Sequence, residues 1–129
     1  MKYYTVKSIL ESKITYFQIV PDCVGYPFDV RRVYPTRQRV VCGIYDLLTN
    51  NTLVEKLWLF GSCSNASCMP YSDIDLAILL KKNTPEEWRR VCRMIRETFP
   101  EYEYDFINIA NVDKYSTLKI NIVKGVKII

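Results

Sequence analysis

The chain has 129 residues, 18 lysines and arginines against 14 acids, and 49% hydrophobic residues, which suits one globular domain with a single core and leaves little room for appended modules. It contains no histidine, excluding Ser-His-Asp triads, His-Cys dyads and imidazole-bearing zinc sites, so acid, base and ligand chemistry falls to carboxylates, lysines, tyrosines or cysteines. Cys23, Cys42, Cys63, Cys68 and Cys92 are odd in number and include no Cys-x-x-Cys pair, which argues for reduced thiols over a disulfide framework or zinc knuckle.

In chain order, Tyr3 to Glu11 fits helix or strand, Lys13 to Val20 alternates as a strand does, and Pro21 to Pro27 reads as a loop. Residues 1–34 are taken as an N-terminal extension packed on the domain formed by 35–129. From Thr36, Val40, Val41, Ile44, Leu47 and Leu48 fall at helical spacing, with Asn50-Asn51 as the stop. Leu57 to Phe60 is a buried strand that breaks at Gly61-Ser62 into a tight turn opening a short helix. Backbone N–H groups there, with the Ser62 hydroxyl, suit a polyphosphate.

A strand over Ser72 to Leu80 places Asp73 and Asp75 on one face and Ile74 and Leu76 in the core. Two carboxylates that close repel unless divalent cations sit between them, and hard Mg²⁺ takes carboxylate, water and phosphate oxygen. The pair therefore reads as a metal-dependent site for phosphate chemistry. After Lys81-Lys82, Thr84 as N-cap, Pro85 at the first helical position and Glu87 predict a capping box. Trp88, Val91, Cys92, Ile95 and Phe99 form the apolar face of that helix, and Arg89, Arg90, Arg93 and Arg96 a solvated one. Pro100 ends it. Glu103 to Ala110 reads as a third strand with Asp105, Ile107 and Ile109 on one face, making Asp105 a candidate third carboxylate beside the plainer reading of a turn aspartate. Asp113 to Val123 has helical features, Gly125 reads as its C-cap, and Val126 to Ile129 as a last short strand. The sum is an α/β (α+β) domain around a small mixed sheet flanked by helices.

Gly61-Ser62, ten residues of which Ser72 is the last, Asp73-Ile74-Asp75 and a later strand aspartate, Asp105, resemble the nucleotidyltransferase superfamily that includes DNA polymerase β, and within it the minimal nucleotidyltransferases. The resemblance covers residues 36 to 129 and implies that fold. It implies Asp73, Asp75 and Asp105 as catalytic ligands of two Mg²⁺ ions, Asp105 also as base, and Gly61, Ser62 and Ser72 as residues binding ATP. Members of the minimal type often read Gly-Ser-Arg-x-x-Gly, whereas this chain has Cys63 and Ala66, so weak activity is expected. Lys81 or Lys82 is a candidate replacement charge, and Cys63 and Cys68 are expected to be passive.

Three functions follow: transfer of AMP from ATP to a hydroxyl on a helical HEPN-type toxin, as its antitoxin; adenylation of a small hydroxyl compound such as an aminoglycoside; or a non-catalytic module that neutralises a partner by contact. The scattered charge suits a nucleotide and does not point to direct nucleic-acid binding. With no signal-type segment and no apolar run of about 18–20 residues, a cytoplasmic protein without membrane contact is expected, self-association remaining open.

Overall fold

The computed structural model describes residues 14–129. Four strands form one sheet in the order β3-β2-β1-β4. β1 (Val54–Phe60) and β2 (Ile74–Leu80) pair antiparallel, β3 (Tyr104–Asn108) joins β2 in parallel, and β4 (Val126–Lys127) joins β1 antiparallel. With helices α1 (Pro35–Leu48), α2 (Pro85–Thr98) and α3 (Thr117–Val123), this is the small mixed α/β architecture that the sequence implies.

β2 reads as an almost unbroken apolar run because both faces of it are covered. Ile74, Leu76, Ile78 and Leu80 pack in one cluster with Val41, Ile44 and Leu48 of α1 and Val91 and Ile95 of α2. On the opposite face Ala77 meets Phe60 and, from α3, Ile122. Each fully buried Leu or Ile contributes about 1.5–3 kcal/mol. Cys23, Phe28, Val30 and Val33 are buried in the larger cluster too, so the residues just ahead of α1 share the core of the sheet. Among the described residues no helix is long and apolar enough to cross a membrane.

Several boundaries differ from the sequence expectation, each for a local reason. Tyr3 to Glu11 and Lys13 lie outside the described residues. From Ile14 to Val20 the chain joins no strand, because its polar backbone is satisfied otherwise. The buried Gln38 side chain accepts from Val20 N and donates to the carbonyls of Gln18 and Val33, and Phe17 N donates to Arg31 O. β2 begins at Ile74 rather than Ser72, since Ser72 closes a turn: its N–H donates to Met69 O at 3.0 Å and its hydroxyl accepts from Met69 N at 2.8 Å. β3 ends at Asn108, whose side chain accepts from Ala110 N and opens a 3-10 turn over Ile109–Asn111.

The predicted capping box on α2 is half formed. Thr84 Oγ1 accepts from Glu87 N at 3.2 Å, but Thr84 N donates to Lys82 O and the Glu87 carboxylate turns to Arg90 at 3.7 Å. At the end of α3, Gly125 is needed for space and not for a left-handed backbone, which among the described residues only Gly25 and Gly61 adopt. A Cβ at Gly125 would run into the Leu59 carbonyl oxygen and stand 3.0 Å from Phe60 Cβ. The last helical carbonyls are met by the backbone, Lys124 N donating to Ile120 O at 3.2 Å and Gly125 N to Ile122 O at 2.9 Å, and the Arg32 guanidinium donates to the next two, Lys124 O at 2.6 Å and Gly125 O at 3.1 Å. Gly125→Ala should therefore lower stability by about 1–3 kcal/mol in urea denaturation, the usual cost of overpacking. Gly43→Ala should cost less, because its Cβ would meet only the Phe99 ring, which can turn aside.

Candidate functional site

Strand direction gathers the predicted residues. β1 runs out at the end of the sheet where β2 and β3 begin, so the Gly61-Ser62 turn, Asp75 and Asp105 share one edge of the fold. The register aligns Phe60 with Asp75 and Asp75 with Asp105, three neighbours on adjacent strands spaced about 4.8 Å apart. They share a face: Phe60, together with Ala77 and Ile107, two residues beyond the aspartates, packs in the cluster against α3. Asp75 is 1% exposed, and Asp105 is half-buried.

Asp73, also half-buried, stands one residue ahead of β2, so strand alternation does not govern its direction. Among the described residues no three His, Cys, Asp or Glu side chains converge closely enough to hold a metal ion. The structure thus brings Asp75 and Asp105 together and leaves Asp73 beside them. Hard oxygen donors in that number fit Mg²⁺, which binds through one or two carboxylates and completes its shell with water and substrate phosphate.

Gly61 has φ +74°, a conformation that only glycine adopts without cost, and it opens a 3-10 turn over Gly61–Ser64. The Ser64 hydroxyl and Asn65 Nδ2 both donate to Gly61 O, at 2.7 and 3.2 Å, and pin the turn. Ser62 Oγ is buried and has no hydrogen-bond partner among the described residues. A buried hydroxyl left so costs about 1–3 kcal/mol, which a phosphate oxygen accepting from it would offset. Ser72 differs, its hydroxyl being committed to Met69 N within the loop.

The residue that sequence reasoning missed is Arg37. Only 5% exposed, its guanidinium donates to the carbonyls of Met69 (3.2 Å), Pro70 (3.0 Å) and Ser72 (3.4 Å) and to Thr36 Oγ1. It also lies 4.9 Å over the Tyr102 ring. One buried cation thus fixes the loop that delivers Asp73. The signal was available: Arg37 stands at i with Val41, Ile44 and Leu48 at i+4, i+7 and i+11, a charged residue inside an apolar stripe.

Cys63 points into the core, 0% exposed. Its Sγ lies 3.6 Å from Cys68 Sγ and 3.4 Å from Asp73 O. Burial pushes its pKa up to about 12, the Cys68 thiol adding to this while the Arg37 charge opposes it. Positive charge near the loop therefore comes from Arg37. Lys81 and Lys82 stand beyond the far end of β2, about 20 Å of strand away from Asp75.

Two outcomes follow. Arg37→Met should leave the Met69, Pro70 and Ser72 carbonyls without their donor, lower stability by at least about 1–3 kcal/mol and speed amide hydrogen exchange from Met69 to Asp73, with Arg37→Lys intermediate. Cys63, its pKa raised, stays a neutral thiol well above pH 7, so a disulfide reagent at pH 8 should not label it in the folded protein and should label it after denaturation.

The family model for polymerase beta nucleotidyltransferases matches residues 43–129. No curated protein matches the sequence significantly. One similar solved chain comes from the complex of tri-AMPylated Shewanella oneidensis HEPN toxin with MNT antitoxin, at 20% identity over 70% of this chain and 68% of that one, with a TM-score of 0.49. Another comes from a mutant of the toxin–antitoxin MntA-HpeT, at 17% identity over 69% and 72% of the two chains, with a TM-score of 0.53; this second likeness supports the fold. With two thirds of its length matched by the family model and the motif residues gathered at one end of the sheet, the chain belongs to the polymerase beta nucleotidyltransferase family.

Proposed function

We propose that the chain is an Mg²⁺-dependent nucleotidyltransferase that moves AMP from ATP to a hydroxyl on a helical HEPN-type partner, and so serves as the antitoxin of a toxin–antitoxin pair. The observation that carries the reading is the juxtaposition of Asp75 and Asp105 as ladder neighbours with the buried, unpartnered Ser62 hydroxyl at one end of the sheet. Family membership supports nucleotidyl transfer, the minimal-type motif favours AMP, and the fold shared with the MntA-HpeT complex favours a protein partner. Cys23, Phe28, Val30 and Val33 are spent in the core of the sheet and do not wall a separate small-molecule pocket, and a protein acceptor brings its own shape.

The residues divide the work. Asp75 and Asp105 stand together, and Asp73, one residue ahead of β2, would have to turn toward them for the three to hold two Mg²⁺ ions, which when bound would supply Lewis-acid polarisation of the α-phosphate and neutralise charge developing on the leaving oxygens. Gly61, having no side chain, lets phosphate approach the backbone, and Ser62 donates its O–H to a phosphate oxygen. Ser72 acts indirectly, by holding the loop ahead of Asp73. Asp105 takes the proton of the acceptor hydroxyl as the oxygen–phosphorus bond forms and the bond between α-phosphorus and the bridging oxygen breaks, so that pyrophosphate leaves.

The buried thiol at Cys63 favours a second reading, a module that neutralises its partner by contact alone. Calorimetry separates the two. Wild type should bind ATP with Mg²⁺ and not without it, and Asp73→Asn/Asp75→Asn should lose that binding while keeping the partner. If wild type binds no ATP in either condition, catalysis by the isolated chain is excluded and the contact reading stands.

A further inference from the structure

Between α2 and β3 lies an open groove of about 610 Å³, of whose lining the site above uses Asp105 alone. Arg89, Arg93 and Arg96 line one wall, at i, i+4 and i+7 on one helical stripe, and all three are exposed. The other wall is β3, with Tyr104, Asp105 and Phe106. Tyr104 and Phe106 face the helix side of the sheet, where they pack on the larger core cluster, whereas Asp105 belongs to the opposite face. A groove touching all three therefore runs along the edge of the strand and connects the arginine row to the candidate base.

We propose that this groove receives an acidic, extended peptide segment of the partner that carries the acceptor hydroxyl to Asp105. The proposal rests on the transferase reading and deepens it by naming the chemistry of the acceptor. Charge complementarity selects the occupant. Arg93 and Arg96 form no ion pair among the described residues, and Arg89 reaches Glu86 only at 4.0 Å, so the row is available to carboxylates, which guanidinium groups bind in paired hydrogen bonds. The acids lining the groove are Glu97 and Asp105. β3 is the edge strand of the described sheet, and an edge accepts a further extended chain through its backbone N–H and C=O groups. The volume falls within the usual range of about 300–1,000 Å³ for ligand sites.

A single-stranded nucleic acid is the competing polyanion, and the aromatic residues argue against it. Tyr104 and Phe106 stack on each other with centroids 5.4 Å apart at 11°, and the Arg96 guanidinium lies 4.9 Å over the Phe106 ring. Both rings are thereby engaged, whereas single-strand binding relies on open faces on which bases stack.

Fluorescence anisotropy tests this with a labelled tyrosine peptide flanked by glutamates, its twin with glutamines, and a single-stranded RNA of equal charge, all without ATP or Mg²⁺. Wild type should bind the acidic peptide on the order of tenfold tighter than the glutamine twin and more tightly than the RNA, with affinity falling as salt rises. Arg93→Glu/Arg96→Glu should lose this binding and Arg93→Lys/Arg96→Lys keep most of it; both residues are exposed, and circular dichroism checks the fold. Asp73→Asn/Asp75→Asn should bind the peptide as wild type does. Equal affinity for the two peptides, indifference to charge reversal, or tighter binding of RNA would overturn the proposal. Acidic-peptide binding in a protein that fails to bind ATP would leave the groove standing and remove the transferase reading.

Discussion

The arrangement depends first on the pairing of β2 with a neighbour of each direction. Antiparallel β1 ends where β2 begins, and parallel β3 begins there too. The motif segments, 14 and 30 residues apart in sequence between Gly61, Asp75 and Asp105, thus meet at one edge. No local propensity achieves this. It follows from β2 being apolar on both faces, so that helices must cover each side and the connection from β2 to β3 passes through α2 before returning in the same direction.

The second constraint is the loop between β1 and β2. It must turn the chain while keeping Asp73 and Asp75 beside Gly61, with little apolar burial of its own: Ala66, Ser67, Met69, Pro70 and Tyr71 are exposed. Its order comes from polar anchors. Arg37 holds three of its carbonyls from below, Ser64 and Asn65 pin Gly61, and the Cys63 and Cys68 thiols pack together beneath it. A buried guanidinium is costly unless its donors are used, and here Nη2 is spent on three carbonyls that would otherwise need water and Nη1 on Thr36 Oγ1. That exchange makes the loop a fixed part of the fold, and it explains how a neutral residue at position 63 coexists with an ordered turn.

The acidic face and the groove meet at Asp105, which belongs to the sheet face shared with Asp75 and also to the edge facing α2. Edge strands usually need protection against unwanted pairing. Here Arg89, Arg93 and Arg96 of α2 line the same groove as β3 and give that side of the strand a charge preference.

Sequence by itself determined the elements that local chemistry controls. Apolar periodicity placed α1, β1, β2 and α2, Thr84-Pro85 marked the start of α2, and the two-residue alternation in β3 put Asp105 on the face of Ile107. It also carried Gly61, Ser62, Asp73, Asp75 and Asp105 as a motif, because their spacing is written in the chain. Tertiary structure decided what needs a distant partner. Ile14 to Val20 alternates like a strand, yet it joins no strand, and Gln38 takes up the backbone groups of Gln18 and Val20 at its end. Lys81 and Lys82 are near Asp75 in sequence and far from it along the strand. Arg37, remote from the loop in sequence, becomes its anchor, and Gly125 is required by the Leu59 carbonyl rather than by its own backbone angle. Spacing is a one-dimensional property that a chain displays directly, whereas burial and hydrogen-bond partnership exist only once segments 30 or more residues apart, such as Arg37 and Pro70, have come together.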